Sequence, residues 1–101
     1  VTGLKLKNLQ DNSTKEINID GIFVLIGYNV NNSVLIQEDG TALCDVNESG
    51  QAIVNLKMET NIPGLFAAGD LRKDAPKQVV CAAADGATAA LAAIEFIEHH
   101  K

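Results

Sequence analysis

A single carboxylate, Asp70, follows a short apolar run, Leu65 to Ala68, and a glycine, Gly69. The turn dipeptide Pro63-Gly64 launches that run, and Lys77-Gln78-Val79 then opens a long alanine-rich stretch. In open α/β sheets ligands bind outside the carboxyl ends of strands, and Asp70 stands at such an end. A carboxylate there can accept hydrogen bonds from hydroxyl groups. A helix start offers free N–H groups and about half a positive charge, so it favours an anion. Together they offer a grip on a polyol beside a seat for negative charge. The plainer alternative is that Gly69-Asp70 only makes a turn.

The elements that must position these groups follow from pattern. Residues 4 to 9 (LKLKNL) and 15 to 19 (KEINI) alternate apolar and polar around the turn residues QDNS, which predicts a β-hairpin. Asp20-Gly21 leads into IFVLI, 22 to 26, a continuous apolar run expected to form a strand buried on both faces. Asn32 or Ser33 is placed to cap a short helical turn through Gln37, which Asp39-Gly40 ends. ALCDV and QAIVN flank a turn at Glu48-Ser49-Gly50 and are candidates to pair. After LFAA and Gly69-Asp70, a polar loop containing Arg72 and Lys73 reaches Pro76, which a helix start tolerates.

From Lys77 to His100 only Gly86 interrupts a strongly helix-forming composition. Ala82, Gly86, Ala89, Ala90 and Ala93 form a small-residue stripe. Such a stripe permits close approach to a sheet, a helix or a flat ligand; the alternative is an amphipathic helix that happens to be alanine-rich. Val24, Ile26, Leu65, Phe66, Leu91 and Ile94 are the expected core. Glu95, Glu98, His99 and His100 are assigned to the surface, and Tyr28 to a hinge, with packing near a bound ligand as its alternative.

Length and composition set bounds. The chain has 101 residues, enough for one small domain, and its 47% apolar content argues against disorder. The net charge of −5 and the scattered Lys and Arg disfavour nucleic acid. Neither a signal peptide nor a membrane span is expected, because no long uncharged apolar run occurs. Cys44 and Cys81 form no C-x-x-C and suit buried thiols in a reducing cytoplasm. The start at Val1, already reading as a strand, points to a piece of something longer.

TNIPGLFAAGD (60 to 70) followed by KQVVCAAADGATAAL (77 to 91) resembles the carboxy-terminal flavin-binding segment of low-molecular-weight thioredoxin reductases, which use FAD and a pyridine nucleotide. IFVLIGYNVN (22 to 31) is similar to the strand that closes the nucleotide domain and crosses back to the FAD domain. The resemblance implies an α/β fold: part of a Rossmann-like, three-layer FAD/NAD(P)-binding architecture, with a β-hairpin and strands before a long C-terminal helix. It implies that residues 1–27 end the NAD(P)-binding domain and residues 28–101 form the C-terminal portion of the FAD-binding domain.

By the same resemblance, Asp70 binds the ribitol hydroxyls of FAD, and Gly69 lets the chain approach closely. Lys77, Gln78 and Val79 lie near the pyrimidine edge of the isoalloxazine, where N–H groups favour the anionic reduced flavin. The implied partners are the remainder of a parent chain, a thioredoxin-like protein and a second copy in a homodimer.

Departures from the family pattern are Val30-Asn31 where Pro precedes Asn, Cys81 where threonine is common, and Ala84 where glycine is frequent. No G-x-G-x-x-G and no C-x-x-C is present. The pyrophosphate cradle, the NAD(P)H site and the redox dithiol are therefore expected elsewhere in the parent, and the chain alone is expected to be inactive. Two alternatives stand beside this reading. One is a dithiol-lacking ferredoxin–NADP reductase of the thioredoxin reductase type; the other is a non-catalytic binding or assembly module.

Overall fold

The computed structural model describes all residues from Val1 to Lys101. Strands β1 (Gly3–Lys7) and β2 (Thr14–Asn18) pair antiparallel, with Gly3 opposite Asn18 and Lys7 opposite Thr14. The hairpin expected from alternation is present, with β1 ending two residues earlier than expected and β2 starting one residue earlier. The turn explains the early end of β1. Asn8 Oδ1 accepts from the Gln10 N–H and Asp11 Oδ1 from the Ser13 N–H, so side chains take over backbone partners there. Leu4 and Ile17, directly opposed, are half-buried. The hairpin packs against no other regular element of the chain.

The apolar run 22–26 departs from expectation. It forms no strand and makes no backbone–backbone hydrogen bond, and its side chains are exposed, Phe23 at 95%. A run of this kind is a strand only when neighbours occupy both edges and layers cover both faces. No segment of this chain supplies them.

From Asn32 onward the chain folds on itself through short pairings. The expected helical turn is a single 3-10 turn, Ser33–Leu35, and Asn32 does not cap it. The Asn32 amide instead donates to the Gly50 carbonyl at 3.0 Å. ALCDV and QAIVN do pair, by an antiparallel bridge between Val46 and Ala52. Asn47 organises their turn, its Oδ1 accepting from the Ser49 and Gln51 N–H groups.

Ala52 is the centre of the structure and has no exposed surface. Its N–H donates to the Leu71 carbonyl, and its own carbonyl accepts from the Lys73 N–H at 2.8 Å. Leu35, Cys44 and Ala67 are buried with it, and Val54, Leu65 and Leu71 pack against them. LFAA, expected as a short strand ending at Gly69-Asp70, forms only an isolated bridge held along one edge: Phe66 bridges Glu59, and the Ala67 N–H donates to the Met58 carbonyl.

Helix α1 spans Val79–His99. It starts later than the expected Lys77, because Lys77 is left-handed (φ 60°) and Gln78 is extended. One face docks on the preceding loops. Ala82 sits against Gly69, Asp85 and Ala92 are buried, and the Phe96 ring meets Phe66 edge-on at 6.4 Å. Gly86, by contrast, has nothing within 4 Å of where a Cβ would stand, so only part of the small-residue stripe is used. By length and composition α1 could cross a membrane, contrary to expectation. Its Asp85 carboxylate, however, is sequestered by protein partners, and the face carrying Ala92 and Phe96 packs on the chain itself.

The expected core is corrected accordingly. Leu65 and Phe66 are half-buried, but Val24, Ile26, Leu91 and Ile94 are exposed. The radius of gyration is 20.2 Å, against about 13 Å for a compact domain of this length. Apolarity alone marked those four residues as core, but burial needs a covering layer, and the chain places none over α1's outer face or over residues 22–26.

Candidate functional site

Ala68 is extended, Gly69 turns left-handed at φ +80°, and Gly69–Leu71 forms a 3-10 turn. Glycine is required here by the backbone angle. Gly69 is buried under Ala82, at ordinary contact distance. This sharp turn delivers Asp70 to the surface, where it is exposed.

Asp70 lines an open cleft of about 370 Å³ together with Lys77. Tyr28, Asn29, Val30 and Asn31 form another wall, with Ser49, Gln51 and Leu71. Of the five residues singled out from sequence, the structure brings Asp70 and Lys77 into this cleft and buries Gly69 behind it. Gln78 and Val79 are exposed at the helix start and do not line it. Tyr28, read from sequence as a hinge, is a wall of the cleft and 75% exposed.

The helix end itself is open. Its first backbone bond runs from the Ala82 N–H to the Gln78 carbonyl, and no side chain caps it. The N–H groups of Val79, Val80 and Cys81 precede that bond and have no backbone partner. Open donors with the helix dipole behind them suit an anionic ligand edge. The donor set is chemically compatible with a flavin: a carboxylate for hydroxyls and uncapped N–H groups for negative charge, with Gly69 forming the turn behind the cleft.

Asp85 was not assigned from sequence, and Arg72 was placed only in the loop near the site, without a role. Asp85 is 7% exposed and accepts three hydrogen bonds. Its Oδ2 takes the Gly69 N–H at 3.0 Å and Arg72 Nε at 2.5 Å, and its Oδ1 takes Arg72 Nη2 at 3.0 Å. This fork-to-carboxylate pairing is geometrically specific and charge-assisted. The Arg72 hydrogen bonds hold the Asp85 carboxyl below its ordinary range; burial opposes them, and the Gly69 N–H assists. The same pairing pushes the Arg72 guanidinium up. An aspartate amid the alanines of the helix's first half, with the chain's one arginine just after Gly69-Asp70, was the available signal.

Cys44 and Cys81 are free thiols, Cys44 buried and Cys81 half-buried. Burial pushes the Cys44 thiol up. No cluster of metal-ligating side chains occurs. At the far end of α1, Lys57 pairs with Glu95 at 2.8 Å, and His100 stacks on Phe96.

Comparison with known proteins supplies the class. The chain belongs to the pyridine nucleotide-disulphide oxidoreductase family, whose profile matches residues 1–86. Within that family it is thioredoxin reductase-like. It is 54% identical over 100 residues to a thioredoxin reductase of Helicobacter pylori (strain J99 / ATCC 700824), covering 99% of this chain and 32% of that protein.

It is also 37% identical over 97 residues to an alkyl hydroperoxide reductase component of Staphylococcus epidermidis (strain ATCC 35984), covering 96% of this chain and 18% of the relative. The crystal structure of T. acidophilum thioredoxin reductase superposes with a TM-score of 0.74 at 30% identity, covering 99% of this chain and 31% of that one. The fold is thus a partial FAD/NAD-binding, Rossmann-like one, and the chain spans about a third of the length of the thioredoxin reductases it matches.

Proposed function

We propose that the chain is the C-terminal flavin-binding segment of a flavoprotein that moves electrons from NAD(P)H through FAD to a disulfide acceptor of the thioredoxin type. The observation that carries this reading is the cleft that Asp70 shares with Lys77, just ahead of an uncapped helix start. FAD, when bound, supplies the two-electron relay between nucleotide and disulfide. The chain's own residues hold and tune it. Asp70 accepts hydrogen bonds from ribityl hydroxyls, and Gly69 allows close approach. Lys77, Gln78 and Val79 border the pyrimidine edge, where the open N–H groups favour negative charge.

Residues 1–27 in this reading end the NAD(P)-binding domain, and residues 28–101 complete the FAD-binding domain. The exposed run 22–26 and the outer face of α1 are then covered by the remainder of the parent chain, in a cytoplasmic homodimer. The 54% identity to a thioredoxin reductase favours a thioredoxin-like acceptor over the peroxide-reductase system named for the 37% relative.

An absorbance scan and an NADPH oxidation assay test the proposal. The 101-residue chain alone should show neither flavin bands nor turnover, whereas the parent should show both. A parent without flavin bands would overturn it.

A further inference from the structure

Among the features left unused by this reading, the buried Arg72–Asp85 pair is the most constrained. Neither side chain lines the cleft, and both are largely withdrawn from solvent. Every Asp85 hydrogen bond goes to Gly69 or Arg72, which flank Asp70. A buried ion pair is seldom a net stabiliser compared with well-packed apolar side chains, so its placement points to geometry rather than to stability.

The loop it spans shows what geometry needs fixing. Asp70 and the start of α1 are the two halves of the site, joined by residues 71–78. That loop has two left-handed non-glycine residues, Asp74 at φ 62° and Lys77 at φ 60°. From Asp74 to Gln78 no backbone N–H has a backbone partner. Leu71 and Lys73 are tied to Ala52, but residues 74–78, which lead into α1, do not set the separation of the halves by backbone bonding. The clamp does: Asp85 lies within α1, past its open end, and takes hold of the backbone at Gly69, next to Asp70 in the chain.

We propose that Arg72 and Asp85 are positioning residues that fix the Asp70 carboxylate relative to the open N–H end of α1, so that both engage one flavin. The inference rests on the flavin reading given above. Asp85 anchors the Gly69 N–H, and the planar fork of Arg72 holds the Asp85 carboxylate in one orientation, a task a lysine does not match.

A double-mutant cycle in the intact flavoprotein tests this, with two readouts: FAD dissociation constant by flavin fluorescence, and urea unfolding midpoint of the apoprotein. Asp70→Ala should weaken FAD binding about tenfold, the scale of one lost charge-assisted hydrogen bond. Asp85→Asn should weaken it about fivefold in the parent background but less than about twofold beside Asp70→Ala, since the carboxylate it positions is gone. Its effect on the unfolding midpoint should be the same in both backgrounds. If Asp85→Asn yields no soluble protein, Arg72→Lys carries the same cycle.

Unchanged FAD affinity in Asp70→Ala would overturn the flavin role of Asp70 itself. Weakened binding in Asp70→Ala, with Asp85→Asn either silent or fully additive, would overturn the positioning role alone.

Discussion

Arg72 and Asp85 meet fork to carboxylate, at 2.5 and 3.0 Å, and so tie the loop after Gly69-Asp70 to the interior of helix α1. Both side chains are largely removed from solvent, at 16% and 9% exposure. The pair differs in kind from the exposed Lys57–Glu95 contact at 2.8 Å, and the two should behave differently when broken.

Removing one partner of the inner pair leaves the other charge in a poorly solvated site. Asp85→Ala should lower the stability of the intact protein by about 3 kcal/mol, the lower end for broken buried pairs. Lys57→Ala should leave the urea midpoint within experimental scatter, because exposed pairs contribute little. Equal shifts for the two variants would contradict this assignment of burial.

Acid should erase the inner contribution in a defined direction. The Asp85 carboxyl is depressed below its ordinary 3.8, by the Arg72 hydrogen bonds first. A depressed folded value means the stabilisation is complete above the unfolded value and fades as pH falls through the folded one. Urea midpoints of parent and Asp85→Asn should differ by a constant amount at neutral pH and converge well below pH 3.8. A gap that widens on acidification would refute the sign.

Gly69→Ala isolates backbone strain. A Cβ there would touch the Ala82 Cβ at an ordinary 3.5 Å, so packing alone permits it. The φ of +80° does not suit alanine, and the expected loss is about 1–2 kcal/mol. Chemical denaturation measures it, and a neutral Gly69→Ala would show that the turn adopts another conformation.

Phe96 links α1 to the turn at Pro63-Gly64, where its ring lies 3.2 Å from the position a Gly64 Cβ would take. The ring also meets Phe66 edge-on. Phe96→Ala should cost about 2 kcal/mol, less than the ~3–5 kcal/mol of a fully buried ring. The same denaturation assay reads the effect.

Cys44 is 5% exposed and its thiol is pushed up by burial. Thiolate is the reactive form. In the native protein, iodoacetamide at mildly alkaline pH should leave Cys44 unmodified, and mass spectrometry should find it alkylated only after denaturation. Rapid native labelling would place Cys44 outside the core.

Local rules made much of this legible. Alternation around QDNS marked the hairpin, alanine content marked α1, and Glu48-Ser49-Gly50 marked the turn between the segments that pair as Val46 and Ala52. The start of α1 was misplaced by two residues, because the left-handed Lys77 has no sequence signature comparable to glycine. Asp85 escaped notice because its partners lie 13 and 16 residues away. Periodicity and spacing do not report a contact of that range.

By itself the sequence determined the hairpin, the long helix and the chemical kinds of group at the site: a carboxylate after glycine, then a helix able to present open N–H groups. These depend on backbone preferences and neighbouring residues, which a linear pattern carries. Only the tertiary structure decided that Asp70 and Lys77 share a cleft with Tyr28, that Asp85 clamps the Gly69 turn, and that Val24, Ile26, Leu91 and Ile94 stand exposed. Burial and ion pairing depend on which surfaces meet in space, and apolarity alone does not say which surface finds a partner.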